Sequence, residues 1–176
     1  MRKIKLYNQL VATLLAAFLA IVAPFSIPLG AIPLTLATLG VYLAAVIGGV
    51  GFGTLAVVIY LLLGAIGLPV FSGFVGGIQA FLSPTGGFLL GYIPCAVMVS
   101  CGLHIGKHTR LACLLSLLLG TAVLYACGII GFMVSTDTPF WASITACCLP
   151  FLPGDAIKIA AVTVLLPPLQ KLIKRT

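Results

Sequence analysis

Leu149-Pro150-Phe151-Leu152-Pro153-Gly154-Asp155-Ala156-Ile157-Lys158 is the stretch on which the reading of this chain turns. It holds Asp155, one of two acids in 176 residues, and Lys158, the only base outside the chain ends and the short link 107–110. Both abut the apolar run 159–169. A charge near mid-membrane costs roughly 2.5–3.5 kcal/mol on insertion scales, so two of them need a reason to be there. The reading that supplies one is the polar end of a small-molecule site in a helical membrane protein.

The rest of the chain agrees with a membrane setting. Hydrophobic residues make up 62% of it and charged residues 6%, and the mean hydropathy is +1.32. A soluble domain carries about 25% charge. No ten-residue segments alternate apolar with polar, which excludes a β-barrel reading. The first 24 residues resemble a secretory signal, with Arg2, Lys3 and Lys5 ahead of an apolar run. That run is as long as a span and no clear small-residue cleavage site follows before Pro24, so it is expected to stay as the first helix. The net charge of +7 sits in three clusters flanking apolar segments, which speaks for orientation in a bilayer rather than nucleic-acid binding. Cys95, Cys101, Cys113, Cys127, Cys147 and Cys148 lack CxxC spacing and lie mostly in apolar runs, as buried inert thiols do.

A single all-α membrane domain over 1–176 is expected, with six transmembrane helices at roughly 7–23, 36–47, 54–66, 84–104, 111–134 and 153–172. The positive-inside rule constrains that count. Arg2, Lys3 and Lys5 place the N-terminus in the cytoplasm, and Lys171, Lys174 and Arg175 place the C-terminus there. Lys107 and Arg110 must be cytoplasmic too, so four spans precede them and two follow. The connections 25–35, 67–83 and 135–152 then share the outer side, with Asp137 their one charge. Backbone this irregular and apolar is expected to fold back on the bundle and line or lid a cavity.

Asp155 and Lys158 are spaced i, i+3 and share a helix face. Asp155 suits a first helical turn and Lys158 does not, because the helix dipole repels a cation there. Two accounts fit: a local ion pair with a snorkelling lysine, or a ligand site in which Lys158 meets an anion and Asp155 accepts an N–H. Ser83-Pro84-Thr85-Gly86-Gly87-Phe88 opens a helix, and is either a tightly packed start or a set of free N–H groups and the Thr85 hydroxyl facing a ligand. The segment 67–77 is a flexible loop or a lid, with Phe71 or Phe74 covering an apolar ligand. Ala12, Ala16 and Ala20 recur every fourth residue on the first helix, for internal packing or for docking another membrane subunit. His104 and His108 have metal-ligand spacing but no carboxylate or thiol to complete a site, and an interfacial pair is the expectation. No Ser/His/Asp set, paired carboxylates or phosphate-loop lysine is present, so neither catalysis nor an ATPase is expected of this chain.

Pro69-Val70-Phe71, Ser83-Pro84-Thr85-Gly86-Gly87-Phe88-Leu89-Leu90-Gly91 and the stretch quoted first, with Ile32-Pro33-Leu34-Thr35-Leu36 ahead of them, resemble the BioY family in the same order over nearly the whole chain. BioY proteins are biotin-binding S components of bacterial energy-coupling factor transporters. The resemblance implies a six-helix bundle in the bacterial plasma membrane that captures biotin from outside. It also implies work with a transmembrane T component and two cytoplasmic ATPases, no cofactor, and a first-helix face made of Ala12, Ala16 and Ala20 that docks the T component. The acid and lysine of the family motif fall on Asp155 and Lys158, which makes Lys158 the partner of the biotin carboxylate. Asp155 takes a ureido N–H or holds the lysine. Thr85, Gly86, Gly87, Phe71, Gly73 and Phe74 complete the expected site. Gly73 and Ser83 stand where many members carry a polar side chain and a glycine; Gln79 is the expected substitute. The competing readings are an S component for thiamine or riboflavin, a passive channel and an intramembrane enzyme.

Overall fold

The computed structural model describes residues 2–28 and 32–174, with side chains at 9–28 and 32–169. Leu29, Gly30 and Ala31 of the first connection and Arg175 lie outside the described residues. So do the side chains of Arg2, Lys3, Lys5, Lys171 and Lys174.

Helices dominate, because a chain this apolar must satisfy its backbone polar groups within each segment. Helix α1 (Arg2–Val22) leads into a short antiparallel ribbon, β1 (Ser26–Pro28) with β2 (Pro33–Thr35), in which Ser26 pairs with Thr35. Helix α2 (Ala37–Gly48), a π-helical turn at Gly49–Gly53 and α3 (Thr54–Ala65) follow. The chain reverses at that turn, where Gly49 has φ +65°, and Gly53 lies so close to Ala44 that a Cβ there would strike the Ala44 carbonyl. A straight helix would hold positions nine apart about 13.5 Å from each other along its axis. A single 3₁₀ turn (Ser72–Phe74) and α4 (Gln79–Leu82) then lead to the long antiparallel pair α5 (Gly86–Ile105) and α6 (Arg110–Thr136). Thr109 caps α6, its hydroxyl accepting from the Ala112 N–H at 3.2 Å. Helices α7 (Phe140–Cys147) and α8 (Leu152–Lys174) complete the chain.

Helices α5 and α6 touch backbone to backbone: a Cβ on Gly87 would sit 2.8 Å from the Gly131 Cα. One core cluster joins α1, α2, α3, α5, α6 and α8 through residues such as Leu19, Val41, Tyr60, Val99, Leu117 and Val162. A smaller one, Ile32, Phe132, Cys147 and Phe151, sits between the ribbon, α6, α7 and the start of α8.

Among the described residues four helical stretches are long and apolar enough to cross a bilayer, at 37–65, 86–105, 110–136 and 152–169, with a shorter apolar helix at Gln9–Val22. The first of the four includes the reversal, and its arms α2 and α3 have 12 residues each. Each arm is about 18 Å long, against a hydrocarbon core of about 30 Å. The protein is therefore a multi-pass helical membrane protein. The connections 23–36, 66–85 and 137–151 gather at one end of the bundle, and the π turn and link 106–109 lie at the other.

The alanine stripe of α1 turns toward the bundle. Ala12 and Ala16 are 0% and 1% exposed, and Ala20 packs against the same core. The stripe lets α1 approach α2 and α3, its packing partners, and of the three alanines Ala20 is the one left half-buried. The exposed side of α1 is Leu10, Leu14, Phe18 and Ile21.

Candidate functional site

At the end where the connections gather, the bundle holds a cavity of about 410 Å³, in the range of small-molecule sites. Five elements converge on it: the ribbon with the start of α2, the middle of α3, the segment 71–85 with the start of α5, the middle of α6, and the start of α8. Its walls are largely apolar and aromatic, with Leu34, Tyr60, Phe71, Phe88, Tyr92 and Phe151 prominent.

One charged cluster faces this lining. Asp155 and Lys158 are 4% and 8% exposed, one turn apart at the start of α8. Lys158 Nζ donates to Asp155 Oδ1 at 2.8 Å, to Thr38 Oγ1 at 2.6 Å and to the Thr35 carbonyl at 2.8 Å. An ammonium has three protons, and all three are placed. Asp155 also accepts from the Thr38 hydroxyl at 3.3 Å and, through Oδ2, from the Tyr125 hydroxyl at 2.6 Å. Below it, the Tyr42 and Thr121 hydroxyls share a 2.6 Å hydrogen bond. The cluster has no net charge, and every strong donor and acceptor in it is engaged, which is how two ions persist in a weakly polar interior. A ligand group reaches Lys158 or Asp155 by exchanging with a threonine or tyrosine partner, not by meeting a bare charge.

The structure divides the expected site residues. Asp155, Lys158, Thr85, Phe71 and Gln79 line the cavity; Gly86, Gly87, Gly73 and Phe74 do not. Gly86 packs against the Phe81 backbone and Gly87 against Cys127 and Gly131, so the paired glycines serve helix packing. The Thr85 hydroxyl is joined to Ser83 Oγ at 2.8 Å, and Ser83 donates to the Ala80 carbonyl at 2.7 Å, which pins the start of α5. Phe71 is 2% exposed, seated edge-on between Tyr60 and Phe81 at centroid distances of 5.6 and 5.5 Å. It is a fixed wall. Gly73 supplies a left-handed turn (φ +72°) and its N–H reaches the Pro24 carbonyl at 2.9 Å. Phe74 is turned outward, 60% exposed, with its ring against Phe25.

Thr35, Thr38 and Tyr125 were not singled out from the sequence. The signal was there: a buried lysine and carboxylate demand neutral partners, and isolated hydroxyl-bearing residues in apolar runs are where to seek them. His104 and His108 lie at the opposite end of the bundle with ring centroids 6.4 Å apart. Among the described residues no group of three or more His, Cys, Asp or Glu gathers to hold a metal. The six cysteines are free thiols, and burial pushes the Cys147 thiol on α7 up to about 11.

A mostly apolar cavity closed at one end by a neutralised ion pair, inside a multi-pass bundle, defines a membrane-embedded binding protein for a small polar-ended solute. The model of the BioY family matches residues 1–175. The chain belongs to the BioY family. It is 34% identical over 164 residues to the biotin transporter BioY2 of Lactococcus lactis subsp. cremoris, covering 93% of this chain and 90% of that protein. It is 38% identical to the biotin transporter BioY of Thermotoga maritima, covering 92% and 94%. The same identity holds for that of Rhodobacter capsulatus, covering 84% and 86%. Among solved structures, the S-component for biotin from an ECF-type ABC transporter superposes with a TM-score of 0.90 at 28% identity, over 97% of this chain and 94% of that one.

Proposed function

We propose that this chain is the biotin-binding subunit of an energy-coupling factor transporter in a bacterial plasma membrane. The observation that carries this reading is the cavity itself, apolar along its walls and polar at the Asp155–Lys158 end, in a chain that belongs to the BioY family. Biotin matches it: a thiophane ring and a valeryl chain for the apolar walls, and a ureido group and a carboxylate for the hydrogen-bonding groups. Lys158 and Asp155 take polar ends of the ligand, Thr85 and Gln79 lie along its path, and Phe71 closes the wall. Thr35, Thr38 and Tyr125 hold the ion pair in place. The subunit performs no covalent chemistry.

We further propose six crossings with both termini in the cytoplasm. The alternating course of α1, α2, α3, α5, α6 and α8 and the three basic clusters support it; α2 and α3 are then the two short arms of a hairpin. The cavity opens to the outside. Uptake is driven by a T component and two ATPase subunits.

Equilibrium binding of labelled biotin to the purified chain tests the reading. Saturable binding displaced by unlabelled biotin, but not by excess thiamine or riboflavin, is the expected result. Displacement by another vitamin instead, or flux that never saturates, would overturn it.

A further inference from the structure

We infer that the turn between α6 and α7 is a bilayer anchor. Phe140 and Trp141 seat in the boundary between headgroups and acyl chains, in the leaflet at the cavity end. Helix α6 has 27 residues and is therefore about 40 Å long, more than the roughly 30 Å hydrocarbon core. With Arg110 at one interface, its far end reaches the opposite headgroup zone. There Val134, Phe140 and Trp141 are 78%, 51% and 78% exposed. Further down α6, Leu119 and Ile130 are exposed as well, so the helix that leads to the aromatic tip presents apolar side chains outward along its length. The turn is polar: Thr136 and Thr138 hydroxyls bond each other at 2.7 Å beside Asp137. A tryptophan next to such a turn has its apolar ring and its N–H matched to the two sides of the boundary. Asp137, the one charge there, gives anionic headgroups no attraction, so the occupant is the glycerol and carbonyl zone of any phospholipid.

The other face of α7 makes the anchor matter. Ser143 and Cys147 are 0% exposed, and Ser143 Oγ donates to the Pro139 carbonyl at 3.1 Å. Cys147 clusters with Ile32 and Phe151, both of which line the cavity. One short helix thus joins the membrane surface to the cavity wall.

Trp141 is the only tryptophan in the chain, so the full-length wild-type protein reports on itself. It is reconstituted into phosphatidylcholine bilayers brominated either near the top of the acyl chain or near its end, and its emission is read against unbrominated lipid. Bromine near the top is expected to quench more than bromine near the end, with aqueous iodide quenching weakly and no change on adding phosphatidylglycerol. Strong iodide quenching with no effect of brominated lipid would place Trp141 in water and overturn the proposal. So would stronger quenching by the deep bromine, or emission insensitive to every quencher, which would mean a protein contact covers the tip.

Discussion

Replacing Lys158 by Met keeps the length of the stem and removes the ammonium. Three acceptors then lose a donor at once: the Thr35 carbonyl, Thr38 Oγ1 and Asp155 Oδ1. The larger loss is electrostatic, because Asp155, 4% exposed, is left charged with only Thr38 and Tyr125 to donate to it. Breaking a buried pair from one side costs about 3–5 kcal/mol. At about 2–4 °C per kcal/mol for a chain of this size, that is a fall of roughly 6–20 °C in midpoint temperature. Asp155→Asn leaves the reverse imbalance, a buried ammonium without its counter-ion. The double variant carries neither charge, and replacing both members of a buried pair is often close to neutral. A coupling of at least about 2 kcal/mol between the two positions follows, with the double variant more stable than Lys158→Met alone. The assay is the surviving monomer on size exclusion after graded heating in detergent, for wild type, both single variants and the double. A double variant that falls as far as the two single losses combined would refute the argument that the ions hold each other, whatever happens to biotin binding.

Tyr125→Phe removes a 2.6 Å donor from the same carboxylate and is expected to cost about 1.5–3 kcal/mol, read in the same heating series; wild-type stability would show that the tyrosine merely lies nearby. Ala16→Leu is expected to lower the stability of the isolated chain by about 1–3 kcal/mol through overpacking; an unchanged midpoint with impaired energised uptake would restore the docking role and refute the inward placement. Gly87→Ala forces α5 away from α6 at Gly131, so thermal stability should fall while the folded fraction binds biotin with wild-type affinity. A selective loss of affinity would return Gly87 to the ligand.

The membrane class and the pairing of Asp155 with Lys158 were readable from the chain because charge is so scarce in it. What stayed hidden has a common cause. A helix that is apolar all round has no periodic stripe to say which side meets protein and which meets lipid, so Ala12, Ala16 and Ala20 looked equally suited to either. Glycine announces a close approach but not what approaches: Gly86 and Gly87 fit a ligand as well as they fit Phe81 and Gly131. The seat of Phe71 between Tyr60 and Phe81 was hidden too, because the spatial meeting of those rings leaves no trace in local sequence. Thr38 and Tyr125 lie 117 and 30 positions from Asp155. Only the fold brings them there.

The two ions sit one turn apart on α8 itself, rather than on two different helices. That matters before the bundle exists. Of the four long apolar stretches, the one starting at Leu152 is the least apolar, and it is made last. As the segment enters the bilayer, aspartate and lysine can already neutralise each other across a single helical turn, without waiting for Thr38 or Tyr125 to arrive. Had the counter-ion come from α2 or α6, each helix would have had to enter lipid with a naked charge. The ion pair therefore carries its own means of entry into the bilayer: it can close within one helix, and the threonine and tyrosine partners join it once the helices have met.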